Sequence, residues 1–248
     1  GKAPEPTEDM SPVDTPHAKT IDAVAKQLGM PAEQNLKTLI VEGDGDSESS
    51  LYAIILRGDH ELNEIKAAKL PGVKSPLAFA SEEAITKAMG ASVGSLGPVN
   101  CNIPMFVDAS AASVADFVCG ANEDGVHFRG VNWHRDVELT DEQTVDARNV
   151  VEGDTAPDGD GHIKFLRGIE VGHIFQLDRS YSEPMQATVL DQDGNNIVPT
   201  MGCYGMGVTR LVAAVIEQNH DDNGITWPLP LAPFQLHIIA LNAQKSEA

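Results

Sequence analysis

Residues 200–210, Thr-Met-Gly-Cys-Tyr-Gly-Met-Gly-Val-Thr-Arg, constrain the fold more than any other stretch. Gly202, Gly205 and Gly207 lead into a segment where Val208, Leu211, Val212, Val215 and Ile216 recur at helical spacing. Such glycines strip side chains from a strand as it enters a helix, which lets a flat ligand approach the backbone. Arg210 falls in the first turns of that helix, where a cation opposes the positive helix N-terminus. It suits better a planar group that stacks on or pairs with a ligand. A tight strand-to-helix packing joint would leave the same spacing, so the glycines alone do not decide between the two.

The 248 residues suffice for two modest domains with cores of their own. A hydrophobic content of 42% and a charged content of 22% are those of an ordinary globular protein. No apolar run reaches the roughly 18 residues needed to span a bilayer as a helix, and Gly1–Asp9 carries no signal-like apolar stretch. Cys101, Cys119 and Cys203 are far apart and form no Cys-x-x-Cys pair, which argues against a disulfide framework or zinc knuckle and for a cytoplasmic setting without membrane contact. The formal net charge of −20 opposes broad, non-specific nucleic-acid binding, although a few local cations could still serve one specific site.

Along the chain, Gly1–Val13 reads as a proline-rich acidic linker. Thr15-Pro16 reads as N-cap and first turn of a helix that Gly29 stops, and a second short helix is expected over about Ala32–Lys37. Thr38–Val41 and Leu51–Leu56 read as strands, and Leu62–Leu70 and Ser81–Met89 as helices, the latter capped by Ser81 and ended by Gly90. Val93–Pro98 fits neither helix nor regular strand and must be a shaped loop. Met105–Val107 reads as a strand ending at Asp108, Ser110–Val118 as a helix and Gly125–Asn132 as a strand. Beyond the polar turn Asp154–Gly161, Ile169–Leu177, Gln186–Leu190 and the strand before Gly202 suggest a meander turned at Asp193-Gly194, with a last strand at Leu236–Ala240.

Several strings together resemble bacterial-type prolyl-tRNA synthetase. They are Glu170-Val171-Gly172-His173-Ile174-Phe175-Gln176-Leu177, the Gly-Cys-Tyr-Gly-Met-Gly-Val-Thr-Arg run, Gly224-Ile225-Thr226-Trp227-Pro228 and Ala232-Pro233-Phe234-Gln235. The glycine run is similar to that family's third class II motif, so the resemblance implies ATP contacts at Arg210, Gly205 and Gly207, and a proline pocket lined by His173 and Cys203. The second class II motif has no match. The resemblance therefore implies a fragment: a linker over residues 1–13, an inserted editing domain over 14–165, part of the class II antiparallel sheet over 166–233, and the start of an anticodon-binding domain over 234–248. The fold class so implied is α/β (α+β), a mixed-sheet insertion followed by a partial antiparallel sheet.

In that family the insertion hydrolyses alanine from mischarged tRNA(Pro). The resemblance carries over Thr15 and Lys37 as contacts to the acceptor end of tRNA(Pro), and Gly94, Pro98, Asp108 and His127 as catalytic. Lys37 is a point charge suited to a terminal phosphate, or a solvated surface lysine. His127 alternates with Val126 and Phe128, which fits a structural histidine as well as a substrate-orienting one. Asp108 could accept from the amino acid's ammonium or cap a helix near Ser110. Gly94–Pro98 carries no charged side chain, so its contribution would come from the backbone. No Ser/His/Asp or Cys/His signature marks a nucleophile, which favours direct attack by water. His60-Glu61 lacks a second histidine at helical spacing, and no metal ligand set is legible. Editing would thus need no cofactor. ATP with Mg2+, proline and a homodimer belong to the full-length enzyme that the resemblance implies.

Overall fold

Leu51–Arg57 is apolar at six of seven positions, and Tyr52 through Leu56 are all buried. A strand covered on both faces needs this continuous pattern and not alternation, and the domain is built around it. In the computed structural model, which describes residues 4–239 and 241, the chain divides into the units Gly1–Lys164 and Phe165–Ala248. It is a mixed α/β protein.

The first unit holds two sheets. Strands β1 (Ser11–Asp14), β2 (Leu36–Glu42), β3 (Leu51–Arg57), β4 (Met105–Asp108), β5 (Phe117–Gly120), β6 (Val126–Val131) and β7 (Thr144–Val145) alternate with helices α1 (Ile21–Leu28), α2 (Glu64–Ala67) and α3 (Glu82–Met89). A four-stranded mixed sheet runs β2-β3-β4-β7, with β2 antiparallel to β3 and the other pairs parallel. An antiparallel sheet runs β1-β6-β5. Ile40, Ala53, Ile55 and Val107 form one face of the mixed sheet, and pack with Ile85 and Met89 of α3 and with Phe117, Cys119 and Val131 of the other sheet. On the opposite face, Val41, Tyr52, Ile54 and Leu56 pack with Ala67 of α2, Val73 and Ala147.

Several boundaries differ from the sequence reading for local reasons. Ser11–Asp14 is not linker but an edge strand on β6, with Ser11 opposite Arg129 and Asp14 opposite Val126. Thr15 ends that strand, and α1 begins later, capped by Thr20, whose hydroxyl accepts from the Ala23 amide at 3.2 Å. The expected helix over Ala32–Lys37 is a single 3-10 turn, Ala32–Gln34, because β2 already pairs with β3 from Leu36. Leu62–Leu70 shortens to α2, and Ser110–Val118 is a turn running into β5. In both places pairing or turn formation by neighbouring residues wins over local periodicity. α3, its Ser81 cap and its Gly90 stop are as read.

The second unit contains β8 (Gly172–Asp178) and β11 (Met201–Met206) as an antiparallel pair. It also contains the hairpin of β9 (Val189–Leu190) and β10 (Asn196–Ile197), helix α4 (Val208–Gln218), and the pair β12 (His220–Asp221) and β13 (Gly224–Ile225). The expected meander is thus two separate ribbons. Leu236–Ile239 is not a strand; Ala240 and residues 242–248 lie outside the described residues. Only Ser182 and Ala214 are buried among the described residues of this unit. A two-stranded ribbon with one helix cannot enclose a core. Among the described residues of the chain, no helix is long and apolar enough to cross a membrane.

Ile55 contacts the main core and is fully buried. Ile55→Ala is expected to cost about 3 kcal/mol of stability, read as a lower urea midpoint at unchanged slope. Amides of β8 and β11 should exchange with deuterium much faster than those of β3.

Candidate functional site

The loop from Val93 to Pro98 gets its shape from backbone contacts. Gly94 has φ +101, and a Cβ there would come within 2.8 Å of the Lys19 carbonyl oxygen, so no larger residue fits without movement. Gly120, at the end of β5, lies so close to Ser95 and Leu96 that a Cβ would collide with their backbone. Asn122 pins this arrangement. Its Oδ1 accepts from the Gly97 amide at 2.9 Å, and its Nδ2 donates to the carbonyls of Gly97 at 3.1 Å and Val99 at 2.8 Å. Asp124 fastens the start of the loop by accepting from the Ser92 amide and hydroxyl, each at 2.7 Å. Pro98 is buried and closes the loop into the turn that carries Cys101. The amides of Gly94 and Leu96 donate to no protein acceptor among the described residues.

His127 comes from β6, paired with Val13 on one side and Gly120 on the other. The ring is 5% exposed, and its Nδ1 lies 2.6 Å from the Thr15 hydroxyl. Burial lowers its pKa from the ordinary 6.5 and favours the neutral imidazole. Lys37 comes from β2, where it sits opposite Leu56. It is less mobile than a free surface lysine: the side chain is 19% exposed, and Nζ is 3.0 Å from Oε1 of Glu61, itself 79% exposed. Exposed pairs of this kind contribute only about 0–1 kcal/mol, so an incoming anion can compete for the amine.

Lys37, Gly94 and His127 line one hollow of about 180 Å3 together with Lys19, Leu96 and Gly120. Thr38 lines it as well, and its hydroxyl has no partner among the described residues. Thr15 does not face this space as a tRNA contact would. It is 1% exposed and lies behind the imidazole that it touches. A recess of about 490 Å3 beside Trp133 and Thr140 is larger, but none of the residues singled out in the sequence lines it.

Asp108 does not join the hollow. It lies at the end of β4, where it accepts from the Ser110 amide at 3.0 Å, from the Ser110 hydroxyl, and from the Ala147 amide at 2.9 Å. Arg148 Nε is 3.8 Å away. Both oxygens of this carboxylate, which is 1% exposed, already accept from the protein, so it is a structural group here and not one presented to a substrate ammonium. Nor does it cap a helix; it closes a turn. His60 continues the network, with Nδ1 2.9 Å from Ser110 Oγ and Nε2 3.0 Å from an Arg57 nitrogen. Burial and the neighbouring Arg57 cation lower its pKa too. This cluster borders a separate recess of about 640 Å3 shared by Lys66, Arg148 and Asp154.

In the second unit, His173 lies opposite Gly205 and Phe175 opposite Cys203, so all four share one face of the ribbon. The His173 ring stacks on Phe175 with centroids 4.9 Å apart. Glu170 gathers the polar groups, with its carboxylate 2.9 Å from His173 Nδ1 and 3.4 Å from Arg210. A Cβ at Gly205 would meet nothing within 4 Å, which leaves the space over the ribbon open, whereas one at Gly207 would touch Arg210. Among the described residues, no group of three or more His, Cys, Asp or Glu side chains is placed to hold a metal ion.

Residues 15–137, which lie within the first unit, match the family model described as the aminoacyl-tRNA editing domain. Three solved structures are similar. A scaffold protein used in epitope backbone grafting by computational design is 22% identical with a TM-score of 0.48, over 57% of this chain and 88% of that one. A candidate trans-editing enzyme for prolyl tRNA synthetase is 21% identical with a TM-score of 0.45, over 57% and 87%. The hypothetical protein APE2540 is 20% identical with a TM-score of 0.38, over 48% and 79%.

Both His60 and His127 have folded-state pKa values below 6.5, so below that pH the unfolded chain binds protons that the folded chain refuses. Stability should therefore hold steady above pH 7 and fall as pH drops from about 6.5 to 5. Urea titrations across that range check the sign, and His127→Asn should flatten the slope.

Proposed function

We propose that the first unit is an aminoacyl-tRNA deacylase that removes alanine from mischarged tRNA(Pro), and that the chain is part of a prolyl-tRNA synthetase. The observation that carries this reading is the convergence of Lys37, Gly94 and His127 on one small hollow within the segment matched to the editing family. Lys37 would hold a phosphate of the acceptor end by exchanging it for Glu61. The alanyl ester would then lie over the Gly94 loop, with its methyl group in the hollow.

Water adds to the ester carbonyl, and the carbonyl oxygen becomes an oxyanion. The unpaired amides of Gly94 and Leu96, residues that line the hollow, are candidate donors to that oxyanion. The bond from the carbonyl carbon to the ribose oxygen breaks and the ribose oxygen takes up the proton that the attacking water gives up, which leaves free alanine and tRNA with a free hydroxyl. Positioning and a preformed donor pair supply the acceleration, without a covalent enzyme intermediate. Steric size supplies the selectivity. A pocket that admits a methyl can shut out a five-membered ring, whereas a proline-sized activation pocket cannot strongly reject alanine. That difference is the reason for a second, smaller sieve.

The second unit fits part of a larger antiparallel synthetase sheet. Its exposed Ile174, Tyr204 and Val208 are apolar surface that such a sheet would cover. Arg210, Gly205 and Gly207 offer an open, flat face suited to the adenine of ATP, with His173 and Cys203 beside it for proline; Mg2+ would arrive with the phosphates. In that setting a homodimer and a cytoplasmic location follow.

The test is deacylation of Ala-, Cys- and Pro-charged tRNA(Pro) by the 248-residue chain. We expect hydrolysis of the alanyl ester well above the spontaneous rate, with Pro-tRNA(Pro) spared. Retained tRNA binding with no hydrolysis would point instead to a docking module. Lys37→Ala should raise KM with little change in kcat. Gly94→Ala, forced against Lys19, should lower kcat by about a hundredfold and cost about 1–2 kcal/mol of stability.

A further inference from the structure

The unpartnered Thr38 hydroxyl is one of three polar groups that this residue leaves free. Strand β2 is the outer strand of its sheet and pairs with β3 along its whole length without a bulge. In an antiparallel pair, alternate residues exchange both backbone bonds with the partner strand, and those between turn theirs outward. Two bonds set the phase. The Asn35 carbonyl accepts from the Gly58 amide at 2.7 Å, and the Gly43 amide donates to the Ser50 carbonyl at 2.8 Å, so odd-numbered residues turn toward β3. The even-numbered ones turn away: the Ile40 carbonyl accepts from the Ala80 amide at 3.0 Å, and the Glu42 amide donates to the Ala78 carbonyl at 2.8 Å. Thr38 belongs to that outward set, yet neither its amide nor its carbonyl has a partner among the described residues.

The edge is covered on both sides of this point. Asn35 bridges to Val118 before it, and Val41 to Phe79 after it. Between them the hollow abuts the strand. Leu36, Lys37, Thr38 and Leu39 all line it, although Leu36 packs in the main core and Leu39 on the opposite face of the sheet. Successive residues from both faces of a strand share one hollow where that hollow runs along the strand's edge. An uncovered edge is a template for another backbone. Here the free length is too short for a strand, and the space of about 180 Å3 suits a single amino-acid unit.

We propose that the free edge at Thr38 binds the aminoacyl group as if it were one residue of an added antiparallel strand. The group's ammonium donates to the Thr38 carbonyl and its ester carbonyl accepts from the Thr38 amide, the exchange that a paired residue would make. An ammonium has more hydrogens than a peptide N–H, and the Thr38 hydroxyl is a second acceptor for it. The role that the sequence suggested for Asp108 thus falls to a residue of β2. The inference deepens the deacylase reading and rests on it for the fate of the ester. In that reaction the Thr38 amide joins those of Gly94 and Leu96 as a donor to the developing oxyanion. The lysines of the wall do not bar a cation, since Lys37 is paired with Glu61 and Lys19 shares a recess with Asp124.

Binding can be read without any hydrolysis, with the amide analogue of alanyl-adenosine in which nitrogen replaces the esterified ribose oxygen. A lactyl analogue, with a hydroxyl in place of the ammonium, is the comparison. In the NMR spectrum of the isotopically labelled chain, the alanyl analogue should move the Thr38 amide signal. It should bind about tenfold tighter than the lactyl one, because hydrogen bonds to a charged group are the stronger. Thr38→Val should erase that preference and Thr38→Ser should restore it, which a packing role would not do. Thr38→Pro deletes an amide that no strand uses, so the ladder is kept, and the deacylation kcat should fall about a hundredfold. No binding of the alanyl analogue, an unmoved Thr38 amide, or equal affinity of wild type for the two analogues overturns the proposal, even if no variant folds. So does a valine variant that keeps the preference. Binding as expected without deacylation of Ala-tRNA(Pro) leaves the strand-edge site standing and removes the deacylase reading. Cleavage of lactyl- and alanyl-tRNA(Pro) with equal acceleration over their spontaneous rates keeps that reading and overturns the site.

Discussion

Backbone pressed against backbone, where the Gly94–Gly97 loop meets Gly120, is the contact on which the candidate site depends. Side chains are excluded there by geometry, so the chain can place peptide groups within reach of a ligand and hold them without ordering long side chains. Asn122 makes the arrangement single-valued by satisfying both the donor and the acceptor of Gly97. The loop is held from three elements: Lys19 before α1, the end of β5, and the turn that leads to β6. Each comes from a different part of the sequence, and the Gly94–Pro98 loop itself carries no charged side chain. Lys19 and Lys37 supply the positive charge in the wall of the hollow.

The network around Asp108 is a different kind of structure. Parallel strands β3 and β4 deliver Arg57 and Asp108 at their carboxyl ends, where open sheets commonly bind ligands. Here those positions are consumed internally. Arg57 donates to His60, His60 to Ser110 and Ser110 to Asp108, a chain of one consistent polarity that leaves each buried group paired. Its effect is to fix the turns after three strands, including the stretch that carries Glu61, the partner of Lys37. The serine hydroxyl in this chain points its proton at a carboxylate, which suits a bracket between strand ends.

Much of the framework was legible because it rests on local signals. β3 is a continuous apolar run, α3 has its serine cap and glycine stop, and Gly94–Pro98 cannot be regular structure. The misread elements are those decided at a distance. Ser11–Asp14 becomes a strand only because β6 offers it an edge, and Ser110–Val118 loses its helix to the turn closed by Asp108. The site shows the same division. Lys37, Gly94 and His127 were marked through family resemblance and converge in space. Gly120, Asn122 and Lys19 were missed, since a glycine at a strand end and an asparagine in a turn carry no chemical label. Thr15 and Asp108 were marked but given the wrong surroundings, because a sequence does not reveal which polar groups are already satisfied.

The pairing of Lys37 with Glu61 also bears on how such an acidic molecule meets a polyanion. A bare lysine that captures a phosphate frees the sodium ion condensed on the nucleic acid, and that release makes binding steeply sensitive to salt. A phosphate that bound Lys37 would first have to displace the Glu61 carboxylate, so part of its gain would be spent on breaking an existing ion pair. A protein of net charge −20 can in this way keep a cation ready at one site while its surface as a whole presents no basic field.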